Sequence, residues 1–156
     1  MEPPGQIVLI SHTAELKIRF RTVINVTGKR IALTSLYRPH IQQLNHGRAK
    51  RLIKDGINIG ETMTTIIKCD FVKDSTVVGD SDATLSNSSY PLRYLDVLQL
   101  DTARDHELIE VKEPVYHEFT VDALAGLTVL LHDLHGEEIK FYPNSNSNVV
   151  LKLKIM

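Results

Sequence analysis

Two stretches of the chain alternate apolar and charged residues with a period of two: Leu16-Lys17-Ile18-Arg19-Phe20-Arg21 near the start and Val149-Val150-Leu151-Lys152-Leu153-Lys154-Ile155 at the end. Successive side chains of a strand point to opposite faces, whereas a helix repeats every 3.6 residues, so the pattern fits half-buried strands. It places Leu16, Ile18 and Phe20 in a core and turns Lys17, Arg19 and Arg21 outward as a basic stripe. In the last segment Val149, Leu151, Leu153 and Ile155 face inward, and Lys152 and Lys154 outward.

The same reading extends over most of the chain. Ile7-Val8-Leu9-Ile10 is a short apolar run, Val23-Ile24-Asn25-Val26 continues the second strand, and Thr27-Gly28-Lys29 supplies a turn. Ile31–Tyr37 is apolar enough for a central strand, and Pro39 ends it because proline cannot donate to a ladder. Ala49–Lys54 is compatible with one helical turn or a polar edge strand. Met63–Val72, rich in β-branched residues, reads as a strand, and Gly79–Ser89 as a loop. Tyr94–Leu100 is a candidate short helix, since Tyr94, Leu95 and Leu98 share a helical face. Strands are expected at about 107–111, 115–121, 127–132, 138–142 and 148–155. Eight or nine strands with turn signals at this spacing predict a single all-β domain over residues 1–156, a jelly-roll-like β-sandwich with at most one or two short helices.

Composition and charge narrow the function. The start, MEPPGQIVLI, lacks the cationic and long apolar regions of a signal peptide, and no stretch approaches the roughly 20 apolar residues of a membrane helix. The single cysteine, Cys69, excludes an internal disulfide framework and fits a reducing compartment. The net charge of −1 conceals a split: residues 1–54 hold ten Lys or Arg against two Glu, giving +8, and the other 102 residues hold eight basic and 17 acidic groups, giving −9. Folding either sets these halves side by side, where they cancel, or presents two oppositely charged surfaces.

Several constellations resemble sites and fall short. His132-Asp133-Leu134-His135-Gly136-Glu137-Glu138 has zinc-ligand types, but it lies between two expected strands, with Gly136 suited to the positive φ of a hairpin turn. Asp80-Ser81-Asp82-Ala83-Thr84 alternates oxygen donors without the glycine and bidentate glutamate of a calcium loop. Ser35 and Ser89 lack a nucleophile elbow, and Cys69 sits in an apolar strand. His117 and Glu118 are neighbours on an expected strand and so point to opposite faces. The basic run His46–Lys54 could contact phosphates, but it carries no interleaved aromatics for base stacking. The expectation is a non-enzymatic chain with no catalytic residues, no metal and no cofactor.

Three segments together resemble a known family. They are Gly28-Lys29-Arg30-Ile31-Ala32-Leu33-Thr34-Ser35-Leu36 followed by Pro39, then Tyr116-His117-Glu118-Phe119, and then Leu127–Asp133 with Gly136, Ile139-Lys140-Phe141 and Val149–Lys154. Their order is similar to that in the small jelly-roll capsid proteins of virophages, Polinton-like elements and relatives. The resemblance covers about two thirds of the chain, is weakest over residues 40–105, and departs from the family in length, which leaves no room for an inserted outer domain. It implies a penton or minor capsid subunit at icosahedral vertices. Such a subunit is assembled in the host cytoplasm or nucleus, resides in the virion, and partners copies of itself as a pentamer together with the major capsid protein. Head-to-tail contacts need two different surfaces. The candidates are Arg48, Lys50, Arg51 and Lys54 on one side and Asp101, Asp105 and Glu107 on the other. Alternatively, Lys17, Arg19 and Arg21 face nucleic acid inside the shell. The rival reading is a lectin-like or receptor-binding sandwich with ligand residues in the 79–93 loop and the 132–138 tip, where Tyr90 is the lone aromatic. A third is a hydrolase using His117 or His132.

Overall fold

The computed structural model describes residues 5–42, 50–54, 57–73, 75–78, 89–142 and 148–156; for 50–54, 57–61, 75–78 and 89–92 it describes the backbone alone. Among these residues the chain forms twelve strands and no helix. They are β1 (Gln6–Ser11), β2 (Glu15–Asn25), β3 (Arg30–Arg38), β4 (Lys50–Lys54), β5 (Ile57–Cys69), β6 (Ser75–Val78), β7 (Ser89–Leu92), β8 (Tyr94–Asp101), β9 (Glu107–Glu110), β10 (His117–Glu118), β11 (Ala123–Asp133) and β12 (Val149–Ile155).

The strands pair in a nested order. β1 pairs β12, β2 pairs β11, β3 pairs β9 and β10, and β5 pairs β8, all antiparallel. First is joined to last and second to second-last, as in a long hairpin folded back on itself. Two further pairings, β12 with β3 and β11 with β5, roll this ribbon into two five-stranded sheets. One runs β1-β12-β3-β9/β10, the other β2-β11-β5-β8, with β4 continuing beside β5 beyond the end of β11. This is the jelly roll expected from the sequence, a double-sheet solution that leaves few free edges. The β6–β7 hairpin is a separate two-stranded unit.

Alternation builds the core. The row Leu9–Leu151–Leu36–Ile109 crosses the first sheet in register, and Leu9, Leu151 and Leu36 are fully buried with Ile109 packed against them. Facing it, the second sheet contributes Leu16, Ile67, Cys69, Leu100, Leu127, Val129 and Leu131. Each such apolar side chain stabilises the fold by about 1.5–3 kcal/mol relative to exposure. As expected, Lys17, Arg19, Arg21, Lys152 and Lys154 point outward. Gly28 (φ +72°) makes the β2–β3 turn, where Lys29 donates its amide to the Val26 carbonyl at 2.9 Å.

Four local expectations change. Tyr94–Leu100 is strand β8 and not a helix, because ladder bonds to β5 along Thr62–Lys68 outweigh a coincidental helical face of seven residues. Residues 49–54 resolve in favour of a strand over 50–54. The strand expected at 115–121 shrinks to His117–Glu118, since Pro114 closes its start and the ladder reaches the first residue of β3 at Arg30. At 138–142 only isolated bridges form, Glu138 to His132 and Phe141 to Ile41.

Candidate functional site

The charged candidates lie along the outward faces and lateral edges of the sandwich. β1 and β2 form one lateral edge, and β8 and β9 the other. On the first, Lys17, Arg19 and Arg21 project from the outer face of β2. Lys17 pairs with Glu15 at 2.9 Å, and that hydrogen bond and charge hold its ammonium above the usual lysine range. In register across β11 stand Gly126 beside Arg19 and Thr128 beside Lys17, so the stripe has small neighbours and lies open. A Cβ on Gly126 would stand 2.6 Å from the Ile18 carbonyl oxygen, where the ladder shifts between Leu124 and Gly126. Glycine is what allows the two strands to approach there.

The opposite edge runs through residues 94–110, which hold five carboxylates (Asp96, Asp101, Asp105, Glu107 and Glu110) against Arg104. Their environments differ sharply. Glu107 lies directly across from Arg38 on the core side of the first sheet. The Arg38 side chain is 0% exposed and that of Glu107 14%. Arg38 donates to Glu107 Oε1 from Nε at 3.2 Å and from Nη2 at 3.1 Å, to the Arg104 carbonyl at 3.0 Å, to the Pro39 carbonyl at 3.3 Å, and to the Asp101 carbonyl. Glu107 Oε1 also accepts the Asp101 amide at 3.1 Å. The guanidinium therefore fastens the 101–107 loop across one end of the sandwich, its five donors meeting a carboxylate and three carbonyls. Asp101 turns its carboxylate to Arg104 Nε at 3.2 Å and to the Ala103 amide at 3.1 Å. Asp105 is 84% exposed and lies 3.6 Å from His40 Nδ1. Of the three acidic candidates only Asp105 is largely presented to solvent; Glu107 holds the loop from inside.

The basic candidates fare differently. Arg48 lies outside the described residues, and Lys50, Arg51 and Lys54 are placed on β4 by backbone alone. Lys50 pairs with Thr62, which pairs with Asp101 on its other side. Within the second sheet β5 thus separates Lys50 from Asp101, while Glu107 stands on β9 of the first sheet.

The histidine-rich tip is a hairpin turn. Gly136 (φ +78°) donates its amide to the Asp133 carbonyl at 3.1 Å, and Asp133 donates to the Glu137 carbonyl at 2.9 Å. The buried Asp133 carboxylate accepts the His135 and Glu137 amides at 2.8 and 3.0 Å. His132 is also buried, and its Nδ1 lies 2.7 Å from the Asp133 carbonyl, so Nδ1 carries the proton and donates. Among the described residues no three His, Cys, Asp or Glu side chains converge as a metal cluster would require. His117 Nε2 lies 2.8 Å from the Leu95 carbonyl, while Glu118 turns away to Lys73 and Arg30. The Lys73 ammonium, by hydrogen bond and charge, holds the Glu118 carboxyl below its usual range. Burial, with the Asp70 charge beside it, pushes the Cys69 thiol far up and so disfavours the thiolate. An open cleft of about 360 Å³ between the β2–β3 turn and Glu118–Asp122 is lined by Lys29, Arg30, Glu118 and Asp122 among others. The Asp80–Thr84 loop and most of the 79–93 segment, with His46–Ala49, lie outside the described residues. No helix among the described residues is long and apolar enough to cross a membrane.

Sequence reasoning missed Arg38. Its signal was positional: Leu36 faces the core and Arg38 stands in the same phase two residues later, where an apolar residue would be expected. The chain matches no family model and shows no significant similarity to a curated protein.

Proposed function

We propose that this chain is a structural virion protein, a penton or minor capsid subunit that self-assembles around a cyclic axis. The observation that carries the reading is the pair of oppositely charged lateral edges on a jelly roll. β2 offers three cations against Glu15, and residues 94–110 offer five carboxylates against Arg104, one of them matched by Arg38. A ring requires two different, complementary surfaces on each subunit. Lys17, Arg19 and Arg21 of one copy would meet Asp96, Asp105 and Glu110 of the next; these cations stand on described side chains, whereas Arg48 lies outside the described residues and Lys50, Arg51 and Lys54 are placed by backbone alone. Attraction between exposed charges steers and registers such a contact and weakens with salt. The major capsid protein would then surround the ring.

The test is complementation. Arg19→Glu with Arg21→Glu should abolish rings at low salt, as should Asp105→Lys with Glu110→Lys. An equimolar mixture of the two variants should recover association in alternating pairs. Rings that survive both reversals, or variants that stay apart when mixed, would reject the edge contact.

A further inference from the structure

The outer face of the first sheet carries an apolar row, exposed at both its ends and half-buried at Val150 and Tyr37, where the Tyr37 ring lies 6.3 Å from that of His106. Register places Ile10 on β1 beside Val150 on β12, Val150 beside Tyr37 on β3, and Tyr37 beside Leu108 on β9. This row crosses β1, β12, β3 and β9, one residue out of phase with the core row Leu9–Leu151–Leu36–Ile109. Ile10 is 63% exposed, Leu108 59% and Val8, one row along, 45%. An outward face in contact with water is normally polar, and contiguous exposed apolar patches mark binding surfaces.

We propose that this face binds a second copy of the chain, sheet against sheet, about a two-fold axis running along the strands. The charges in the next row select that occupant. Val8, Lys152, Ser35 and Glu110 stand in register there, with the cation toward the β1 side and the carboxylate on β9. Turning a copy about the axis lays Leu108 over Ile10 and Tyr37 over Val150. It also brings each Glu110 one strand spacing, about 4.8 Å sideways, from a Lys152 of the other copy. The same patch then serves both subunits, as an isologous contact requires. Sheets packed this way interdigitate their facing side chains at about 10 Å separation. A membrane surface or a nucleic acid would favour a face of one sign, whereas this one carries Lys152 and Lys154 at one side and Glu110 at the other.

The contact shares Glu110 with the edge-to-edge ring, but salt and substitution separate the two: sulfate strengthens apolar burial whereas added salt screens the charged edges, and changes at Ile10 and Leu108 leave Lys17, Arg19, Arg21, Asp96 and Asp105 intact. The experiment is sedimentation equilibrium of the purified chain in sulfate, with Ile10→Glu, Leu108→Lys and the double variant. Both positions are exposed in the monomer, so unchanged circular dichroism and unfolding midpoint verify the fold. The wild type should dimerise. Each single variant should raise the dissociation constant at least about tenfold, since a charge is forced against an apolar partner. The double variant should restore the dimer, because the carboxylate introduced at position 10 of one copy would face the ammonium introduced at position 108 of the other, twice across the axis. A wild type monomeric up to about 1 mM, the weak limit of specific association, overturns the proposal. So do a dimer indifferent to both single changes and a double variant that stays dissociated. Monomer that instead co-sediments with phosphatidylserine vesicles overturns it in favour of a membrane surface.

Discussion

Removing the Glu107 carboxylate should unfasten one end of the sandwich. In Glu107→Ala the guanidinium of Arg38, 0% exposed, keeps its carbonyl partners but loses its counter-charge. Leaving one member of a buried pair uncompensated costs about 3–5 kcal/mol. A chain of this length loses about 2–4 °C in Tm per kcal/mol, so the expected fall is roughly 6–20 °C. Arg38→Met should cost a similar amount, because it strands Glu107 and leaves the Asp101, Arg104 and Pro39 carbonyls without their donor. The double variant Arg38→Met/Glu107→Ala buries no charge. Its residual cost is the three carbonyls and the Asp101 amide, about 1 kcal/mol each, so the combined loss should fall short of the sum of the singles by at least about 2 kcal/mol. Urea unfolding of the four proteins measures this cycle. A Glu107→Ala cost below about 1 kcal/mol, or strict additivity, would refute the fastening role, since exposed pairs behave that way.

Gly126→Ala should destabilise by about 1–3 kcal/mol through overpacking, because the new methyl meets the Ile18 backbone oxygen; a stability equal to wild type in urea would show that the strands can part there. Two carboxyls should respond to acid in opposite senses. Glu118 is held below its ordinary 4.5, chiefly by the Lys73 hydrogen bond, so its contribution is complete above that value and disappears as pH falls through the folded one. Asp70 is held above its ordinary 3.8 by burial, against the lowering effect of the Thr128 amide, so the fold gains stability as this group protonates. Between about pH 5 and 3, Glu118→Gln should therefore lose less stability on acidification than wild type, and Asp70→Asn more; parallel curves for all three would contradict both assignments.

The fold was legible where the chain's period matched its burial. In β2 and β12 the alternation alone named the inward and outward residues, and Gly28 and Gly136 marked turns whose positive φ favours glycine. It was illegible where a long-range partner decides. β8 shows no clean period two, and it is a strand because β5 lies beside it; β10 is short because it pairs only Arg30 and Ile31 at the start of β3 and Pro114 precedes it. The site was half legible. The basic stripe reads directly from Leu16–Arg21. The acidic stretch reads as one patch, yet Asp105 faces solvent while Glu107 is held inside by Arg38, a distinction made by a strand 69 residues away in sequence. The exposed row had a weaker trace: the unbroken run Ile7-Val8-Leu9-Ile10 announced a strand apolar on both faces, which a one-sided sandwich does not require.

The charged lateral edges of this jelly roll are expected to join copies of the chain into a closed ring. Mass measurement of the purified protein from low to high sodium chloride, with electron microscopy of the same samples, tests that most directly. A closed assembly of fixed copy number at low salt that falls apart as the charges are screened is the predicted result. A chain that remains a monomer under every condition and forms no particle would contradict it.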